Sequence, residues 1–328
     1  MQGIKILDIS SYIPETQITN EDFTQIIETS DEWITSRTGI HTRYYALGMP
    51  VWEIGYKAAE KVIAKTGISK NEIDLIICTT VTPDTLVPST ACIIQDKLGI
   101  NGCQAFDING ACSGFVYAVD MAQKYLSSGD YKNILIISAE KLSNITDYKD
   151  RSSCILFGDG AAAALITSAD ASYAGYMGAD GSGSSFLKAD SIRTVENPFY
   201  KVKNIDKPEK ETDGLLFQDG KEVYKFAVGI MPAAVEKVLD KAGVSAEDID
   251  MIVPHQANIR IIQTAAAKLN VPMEKVYINI DKYGNTSSAS IPIAFSEAVD
   301  AGKIKRGDKV VLVGFGAGLT FGAVYFEF

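Results

Sequence analysis

Histidine is almost missing from this 328-residue chain, which has only His41 and His255. Any step that needs an imidazole must use one of the two. Cysteine occurs five times, at 78, 92, 103, 112 and 154, an odd number with no CxxC spacing. That suggests neither a disulfide framework nor a zinc site, so reduced thiols, no metal and a cytoplasmic setting are expected. Runs of Lys and Arg are lacking, and 41 acidic residues against 31 basic ones leave a net charge of −10. Neither nucleic acid nor an anionic membrane is then an expected partner. Only Val310–Phe326 approaches a membrane span in length, and Gly314, Gly316, Gly318 and Gly322 interrupt it. It reads as two buried strands around a glycine turn. The start is strand-like too, since Ile4, Ile6 and Ile9 alternate with polar neighbours, unlike a secretory leader.

With 46% hydrophobic and 22% charged side chains, the chain can bury one large core or two of average size. It is also written twice. Ile73–Ile77 reads as a buried strand, followed by a helix over 89–98, a strand over 104–108, a turn at Cys112, a helix over 115–127 and a strand over 134–137. Ile249–Val253 opens the same series: helix 259–269, strand 275–280, a turn at Asn285, helix 291–301, strand 310–313. Ile73 lies as far from Ile134 as Ile249 from Val310. Strands alternating with helices predict an α/β protein with buried, largely parallel sheets. Duplication predicts two similar halves, 1–172 and 173–328, facing each other across a site. Residues 174–220 fit neither repeat, carry Asn197-Pro198 and Lys207-Pro208, and read as a long excursion over the site or an edge.

Cys112, in Asn109-Gly110-Ala111-Cys112-Ser113-Gly114, stands between a strand and the start of a helix. A helix start lowers a thiol pKa, and the small neighbours let a substrate approach. An inert buried thiol is the other reading, and the better one for Cys78, Cys92, Cys103 and Cys154. His255 ends a strand, in Pro254-His255-Gln256-Ala257-Asn258, where ligands gather in α/β sheets. It is either a site residue or a satisfied core histidine, whereas His41 lies in a polar, surface-like stretch. Asn285, in Tyr283-Gly284-Asn285-Thr286-Ser287-Ser288, reads as a turn residue, yet it holds the place in the second half that Cys112 holds in the first. A thiolate with neutral His and Asn donors suits thioester chemistry, with Gly314–Gly318 offering backbone N–H groups. Gly158–Ala163 formally matches a dinucleotide fingerprint. Ala164–Thr167 behind it reads as strand, not helix, so no nicotinamide cofactor is expected.

These residues together resemble the β-ketoacyl-acyl-carrier-protein synthase III family. The matching segments run through Thr29–Ile34, Arg37–Ile40, Gly110–Gly114, Phe157–Ala161, Pro254–Asn258, Gly284–Ser287 and Gly316–Thr320. The resemblance implies a thiolase fold, αβαβα in layers, and a homodimer. It implies a decarboxylative Claisen condensation of an acyl-CoA with malonyl-acyl-carrier protein, with coenzyme A thioester as substrate and no resident cofactor. By the same resemblance Cys112 is the nucleophile, His255 and Asn285 hold the enolate, and the backbone N–H groups of Cys112 and Ala317 form the acyl oxyanion hole. Trp33, Arg37, Arg151 and Asn258 would meet CoA, Val87 and Phe157 would line the acyl pocket, and Phe315 would shield the decarboxylation site. Arg260 and Lys268 would dock the acidic carrier protein.

The chain departs from the family at three places: Ala317 where Gly is frequent, Phe321 where Trp is frequent, and Val87 where Phe is frequent. The small Val87 suggests a primer longer than acetyl or branched. Four rivals share the fold: a specialised-pathway ketosynthase, an alcohol or amine acyltransferase, a thiolase or hydroxymethylglutaryl-CoA synthase, and a non-catalytic subunit. Asn285 speaks against the second and Cys112 against the last. A second catalytic Cys or a Glu in matching context, which the third would need, is not found.

Overall fold

The computed structural model describes residues 3–190, 201–202 and 214–328. Thirteen strands occur among them: β1 (Gly3–Tyr12), β2 (Thr16–Thr19), β3 (Thr42–Tyr45), β4 (Leu75–Thr79), β5 (Gln104–Ile108), β6 (Asn133–Lys141), β7 (Asp159–Ala169), β8 (Tyr173–Ala179), β9 (Leu187–Ala189), β10 (Leu216–Gln218), β11 (Met251–Pro254), β12 (Lys309–Gly316) and β13 (Thr320–Glu327). Two of the sheets form the frame, ordered β1-β7-β6-β4-β5 and β11-β12-β13-β8. Tyr277 N–H donates to Ile252 O at 2.9 Å beside a parallel bridge between Ile252 and Val276, which gives β11 an outer neighbour where β5 flanks β4. The two sheets therefore share one topology.

Register confirms the duplication. Leu75 pairs with Ile134 in one sheet and Met251 with Val310 in the other, both in parallel and at equal sequence separation. The sheets are mixed, however, not largely parallel: β7 runs antiparallel to β1 and β6, and β13 to β12 and β8. Of these antiparallel pairs only β12 and β13 are joined by a short hairpin return, at 317–319.

Side chains alternate across each strand, and this builds the layers. Leu75, Ile77, Ile134 and Ile136 of the first sheet face the same core as Met251, Val253, Val310 and Leu312 of the second. The helices Gly114–Ser128 and Ser290–Asp300 lie in that core through Phe115, Val119, Ile291 and Phe295. On the far face of the first sheet, Ile76 and Leu135 pack on helices Val51–Thr66 and Thr90–Leu98. On the far face of the second, Ile252 and Val311 pack on Gly220–Ala242 and Ile259–Lys268. The result is α-β-α-β-α, with both central helices starting near one place.

Three expectations change. Residues 275–280 make only the bridge at Val276, between a 3-10 turn at Met273–Lys275 and the short helix Ile280–Tyr283. Residues 174–179 belong to β8, an edge strand, and not to the excursion. Of the cysteines taken as buried, Cys92 is exposed and Cys103 half-buried. Asn197-Pro198 and Lys207-Pro208 lie outside the described residues. The dinucleotide look-alike is indeed strand, β7, and His41 is exposed. Among the described residues no helix is long and apolar enough to cross a membrane.

Candidate active site

β5 ends at Ile108, and the chain then makes a tight turn. Asn109 Oδ1 accepts from Ala111 N–H at 3.2 Å, and Ala111 takes a φ of +48°, the left-handed region that L side chains avoid at about 1–2 kcal/mol. The 3-10 turn Ala111–Ser113 carries Cys112 and leads into the helix from Gly114. Thr320 Oγ1 ties the turn down by donating to Gly110 O at 3.0 Å. Gly316 passes so close that a Cβ there would sit 2.6 Å from Cys112 N. Only glycine leaves that backbone N–H uncovered.

The second half repeats the device. Asn285 Oδ1 accepts from Ser287 N–H at 2.9 Å, Ser287 has a φ of +50°, and the 3-10 turn Ser287–Ala289 leads into the helix from Ser290. Asn285 therefore corresponds to Asn109, and it is Ser288 that stands where Cys112 does, a correction to the sequence reading. The position of the turn was legible, its register was not. Where Gly316 leaves space beside Cys112, the second half has a carboxylate. Glu140 is fully buried, with Oε1 accepting from Ser288 Oγ at 2.6 Å and Ser288 N–H at 3.3 Å. Its Oε2 accepts from Val81 N–H at 2.9 Å, Thr82 Oγ1 at 3.1 Å and Thr80 Oγ1 at 3.3 Å. Burial raises its pKa, and these donors oppose the rise. One turn is open to ligand, and its counterpart is plugged.

His255 follows β11, and its N–H extends the ladder to Val313 O at 2.8 Å. The ring is 1% exposed, with Nδ1 2.6 Å from Ser290 Oγ and the Phe315 ring edge-on at 5.3 Å. Burial pushes its pKa down to about 3, so the imidazole is neutral at any working pH. Gln256 braces this strand end, donating to Pro254 O at 2.8 Å and Tyr277 O at 3.2 Å and accepting from Asn279 N–H at 3.1 Å. Asn285 is held through its backbone, N–H to Leu156 O at 2.8 Å and O from Gly158 N–H at 3.0 Å. With Oδ1 taken by Ser287, the Asn285 amide presents its NH2. A Cβ on Gly158 would drive into Tyr283 O. Gly158→Ala should therefore cost about 1–3 kcal/mol, read as a lowered urea midpoint, and displace Asn285 with it.

Cys112, His255 and Asn285 open on one cavity of about 780 Å3, which Trp33, Arg37, Phe157, Asn258, Phe315 and Ala317 also line. Leu187 and Lys188 of β9 and Leu216 of β10 cover part of it, as expected of the excursion. Two guanidinium groups stand over the Trp33 ring, Arg37 at 4.8 Å and Arg151 at 4.6 Å from its centroid. Asn258 caps the helix Ile259–Lys268, accepting from Arg260 N–H at 2.9 Å, and donates to Arg37 O at 3.0 Å. Arg260 is exposed at the start of that helix, its guanidinium on Ser36 O at 2.7 Å. Lys268 is exposed at the far end and donates to Val228 O. Val87 is not in the cavity: it is 85% exposed, beside Leu86 at 89%.

The thiol departs from expectation. Protein packs closely around the sulfur, although the residue is only half-buried where it meets the cavity. This burial pushes Cys112 up to about 12, with the Glu140 charge adding to the rise; the Ser287 hydroxyl, 3.5 Å from the sulfur, opposes it because it can donate to the thiolate. Desolvation is the largest of these effects, and it favours the neutral thiol. Iodoacetamide should accordingly alkylate Cys112 about tenfold faster per pH unit between pH 7 and 10, as the thiolate fraction grows. A profile that levels off by pH 10 would show a thiol of ordinary or lowered pKa.

Sequence reasoning missed Asn109, Glu140, Gly316 and Ser290. Asn109 and Asn285 stand at matching places in the two repeats, a signal that alignment on Asn rather than on Cys112 brings out. Glu140 carried no local signal, since it ends an apolar strand like any surface residue.

Two family profiles match the chain. One, described as 3-oxoacyl-[acyl-carrier-protein (ACP)] synthase III, matches residues 106–190, and its C-terminal counterpart matches 239–328. The β-ketoacyl-[acyl-carrier-protein] synthase III of Clostridium novyi is 47% identical over 325 residues, 98% of each chain. The crystal structure of 3-oxoacyl-[acyl-carrier-protein] synthase III from Aquifex aeolicus matches with a TM-score of 0.91 at 44% identity, covering 99% of this chain and 100% of that one. The priming β-ketosynthase of the R1128 polyketide pathway matches at 31% identity and a TM-score of 0.88, covering 99% and 96%. Nearly half of the residues agree along the whole length, and the duplicated halves place a thiol, a neutral imidazole and an amide in one cavity. The chain belongs to the 3-oxoacyl-[acyl-carrier-protein] synthase III family, acyltransferases of thiolase fold.

Proposed function

We propose that the chain condenses an acyl-CoA primer with malonyl-acyl-carrier protein, releasing CoA and CO2 and giving the 3-ketoacyl-acyl-carrier protein that opens fatty-acid synthesis. The observation that carries this is the convergence of Cys112, His255 and Asn285 on one cavity. The Cys112 sulfur attacks the acyl carbonyl, and the backbone N–H groups of Cys112 and Ala317 hold the oxyanion. The bond to CoA sulfur then breaks, and CoA leaves as the thiol with the proton that Cys112 gave up. Malonyl-acyl-carrier protein enters next. Its bond to the carboxylate breaks, and the electron pair moves into the thioester as an enolate. Nε2 of His255 and the Asn285 amide hold that oxygen, and Phe315 keeps water from the carboxylate. The enolate carbon attacks the acyl group, and Cys112 leaves as the thiolate and takes a proton from solvent. Thiol, imidazole and amide supply each of these steps, so no resident cofactor or metal is needed.

The remaining assignments go with this reading. Trp33, Arg37 and Arg151 form a stacked, cationic mouth for the CoA nucleotide, with Asn258 beside the pantetheine and Phe157 on the acyl side. Arg260, with Lys268 at the far end of its helix, gives an acidic carrier protein a cationic face on an acidic enzyme. The exposed Leu86–Val87 tip suits burial in a homodimer, and Val87 reaches an acyl pocket only as a residue supplied by a second copy. The halves divide at 172/173, nucleophile in the first and enolate donors in the second, and the enzyme works in the cytoplasm.

Intact-protein mass spectrometry with a panel of acyl-CoAs, then malonyl-acyl-carrier protein, tests the proposal. An acyl adduct on Cys112 that discharges into 3-ketoacyl product supports it and names the primer, longer or branched if the Val87 reading holds. An adduct that only alcohols, amines or CoA discharge would overturn it.

A further inference from the structure

We propose that Ser290 is a positioning residue that locks His255 in its Nε2–H tautomer, making the cavity-facing nitrogen a standing hydrogen-bond donor. Ser290 is 2% exposed and opens the helix Ser290–Asp300 that follows the Asn285 turn. Among the described residues its hydroxyl oxygen has two polar neighbours: His255 Nδ1 at 2.6 Å and Gln256 N–H at 3.3 Å. Gln256 N–H can only donate, so Ser290 Oγ accepts from it. The single hydroxyl hydrogen is left with one acceptor, the lone pair of Nδ1. A neutral imidazole that accepts at Nδ1 carries its proton on Nε2. The reverse arrangement puts two N–H groups on Ser290 Oγ and strands its own buried O–H without an acceptor.

The ring has no titration that would blur this assignment, because burial keeps it neutral through the working range. Phe315, edge-on at 5.3 Å, offers the ring no acceptor or donor of its own kind. Accepting a hydrogen bond at Nδ1 also orients the imidazole, as a polar partner does for metal-bound histidines. Asn285 is set in the same manner. Ser287 N–H occupies its Oδ1, so the NH2 is what remains for a ligand. Both enolate donors thus take their polarity from the one stretch Ser287–Ser290. The inference rests on the condensing role of His255 proposed above, but the tautomer itself is a property of the free enzyme.

Having two histidines makes the test simple. Two-bond 1H–15N correlation of His41→Gln enzyme labelled on histidine observes the His255 ring alone. The expected spectrum, between pH 6 and 8, is that of a neutral ring protonated on Nε2. Ser290→Ala should move it toward a tautomer mixture and slow condensation by about tenfold, as loss of one hydrogen bond implies. Acyl transfer to Cys112, followed by mass, should stay within about twofold, because the donor it uses is backbone. Ser290→Thr should restore both spectrum and rate. A wild-type ring protonated on Nδ1 overturns the proposal, as does a Ser290→Ala enzyme with unchanged tautomer and unchanged condensation. Should Ser290→Ala fail to fold, the wild-type spectrum and Ser290→Thr decide. Failure of every acyl-CoA to label Cys112 would instead overturn the condensing role and leave the tautomer measurement standing.

Discussion

Asn285→Ala enzyme should load its acyl group on Cys112 at nearly the wild-type rate and then stall. In the proposed reaction the first half uses the sulfur and backbone donors, none of which Asn285 supplies. The second half, as proposed, places two donors on the enolate, and losing one such donor typically slows a step by about 10²–10³. A rapid-quench experiment separates the two: acyl-Cys112 should accumulate, and CO2 release from malonyl-acyl-carrier protein should fall with product formation. The truncation also removes the Oδ1 that accepts from Ser287 N–H at 2.9 Å, so it loosens the turn as well as the donor. Asn285→Asp separates these effects. It keeps the acceptor and therefore the turn, but puts a negative charge where an enolate must form. If the donor matters, Asp should condense no better than Ala. Recovery of condensation with Asp would assign the loss to the turn instead.

What made the site legible was the repetition of apolar strands and polar turns. Strands β4, β11 and β12 and the Ile134–Ile137 part of β6 are apolar runs, and they stand within a few residues of where the pattern puts them, as does the more polar β5. The glycine-broken stretch after Val310 resolves into β12 and β13 because their partner rows are fully paired, Val310 with Phe326 and Gly316 with Thr320. β8 escaped notice because Ala174, Gly175, Gly178 and Ala179 carry little strand propensity, and its place comes from pairing with β13. The Cys112 thiol was misjudged for a related reason. A helix start is visible in sequence, whereas the packing that desolvates a sulfur is a tertiary fact. Glu140 is the plainest case. Its neighbours Thr80, Thr82 and Ser288 come from two other segments, one of them far along the chain, and no local pattern brings them to one carboxylate.

Glu140→Ala should destabilise the fold by about 3–5 kcal/mol, a large part of the roughly 5–15 kcal/mol that holds an ordinary domain. It would leave Val81 N–H, Ser288 N–H and three hydroxyls without their acceptor in a buried site, and open a void between the halves. Glu140→Gln keeps the volume and one acceptor oxygen, and the hydroxyls can turn to accept from its NH2, so its cost should be about 1–2 kcal/mol. Urea unfolding of the three proteins at pH 7.5 checks the order. The pH dependence separates charge from shape. The folded-state pKa of Glu140 is raised, so the folded protein holds more protons than the unfolded chain as pH climbs from 4.5. Its contribution is therefore fully present below 4.5 and is lost as pH rises through the folded value. His255 acts in the opposite sense: with a pKa lowered from 6.5 to about 3, it withdraws stability as pH falls below 6.5. Glu140→Gln should then lose less stability than wild type on going from pH 5 to pH 8, while keeping the acid-side loss that His255 sets. Equal pH slopes in the two proteins would mean that Glu140 ionises in the folded state as readily as in the unfolded chain, and that the plug opposite Cys112 is held by shape rather than by charge.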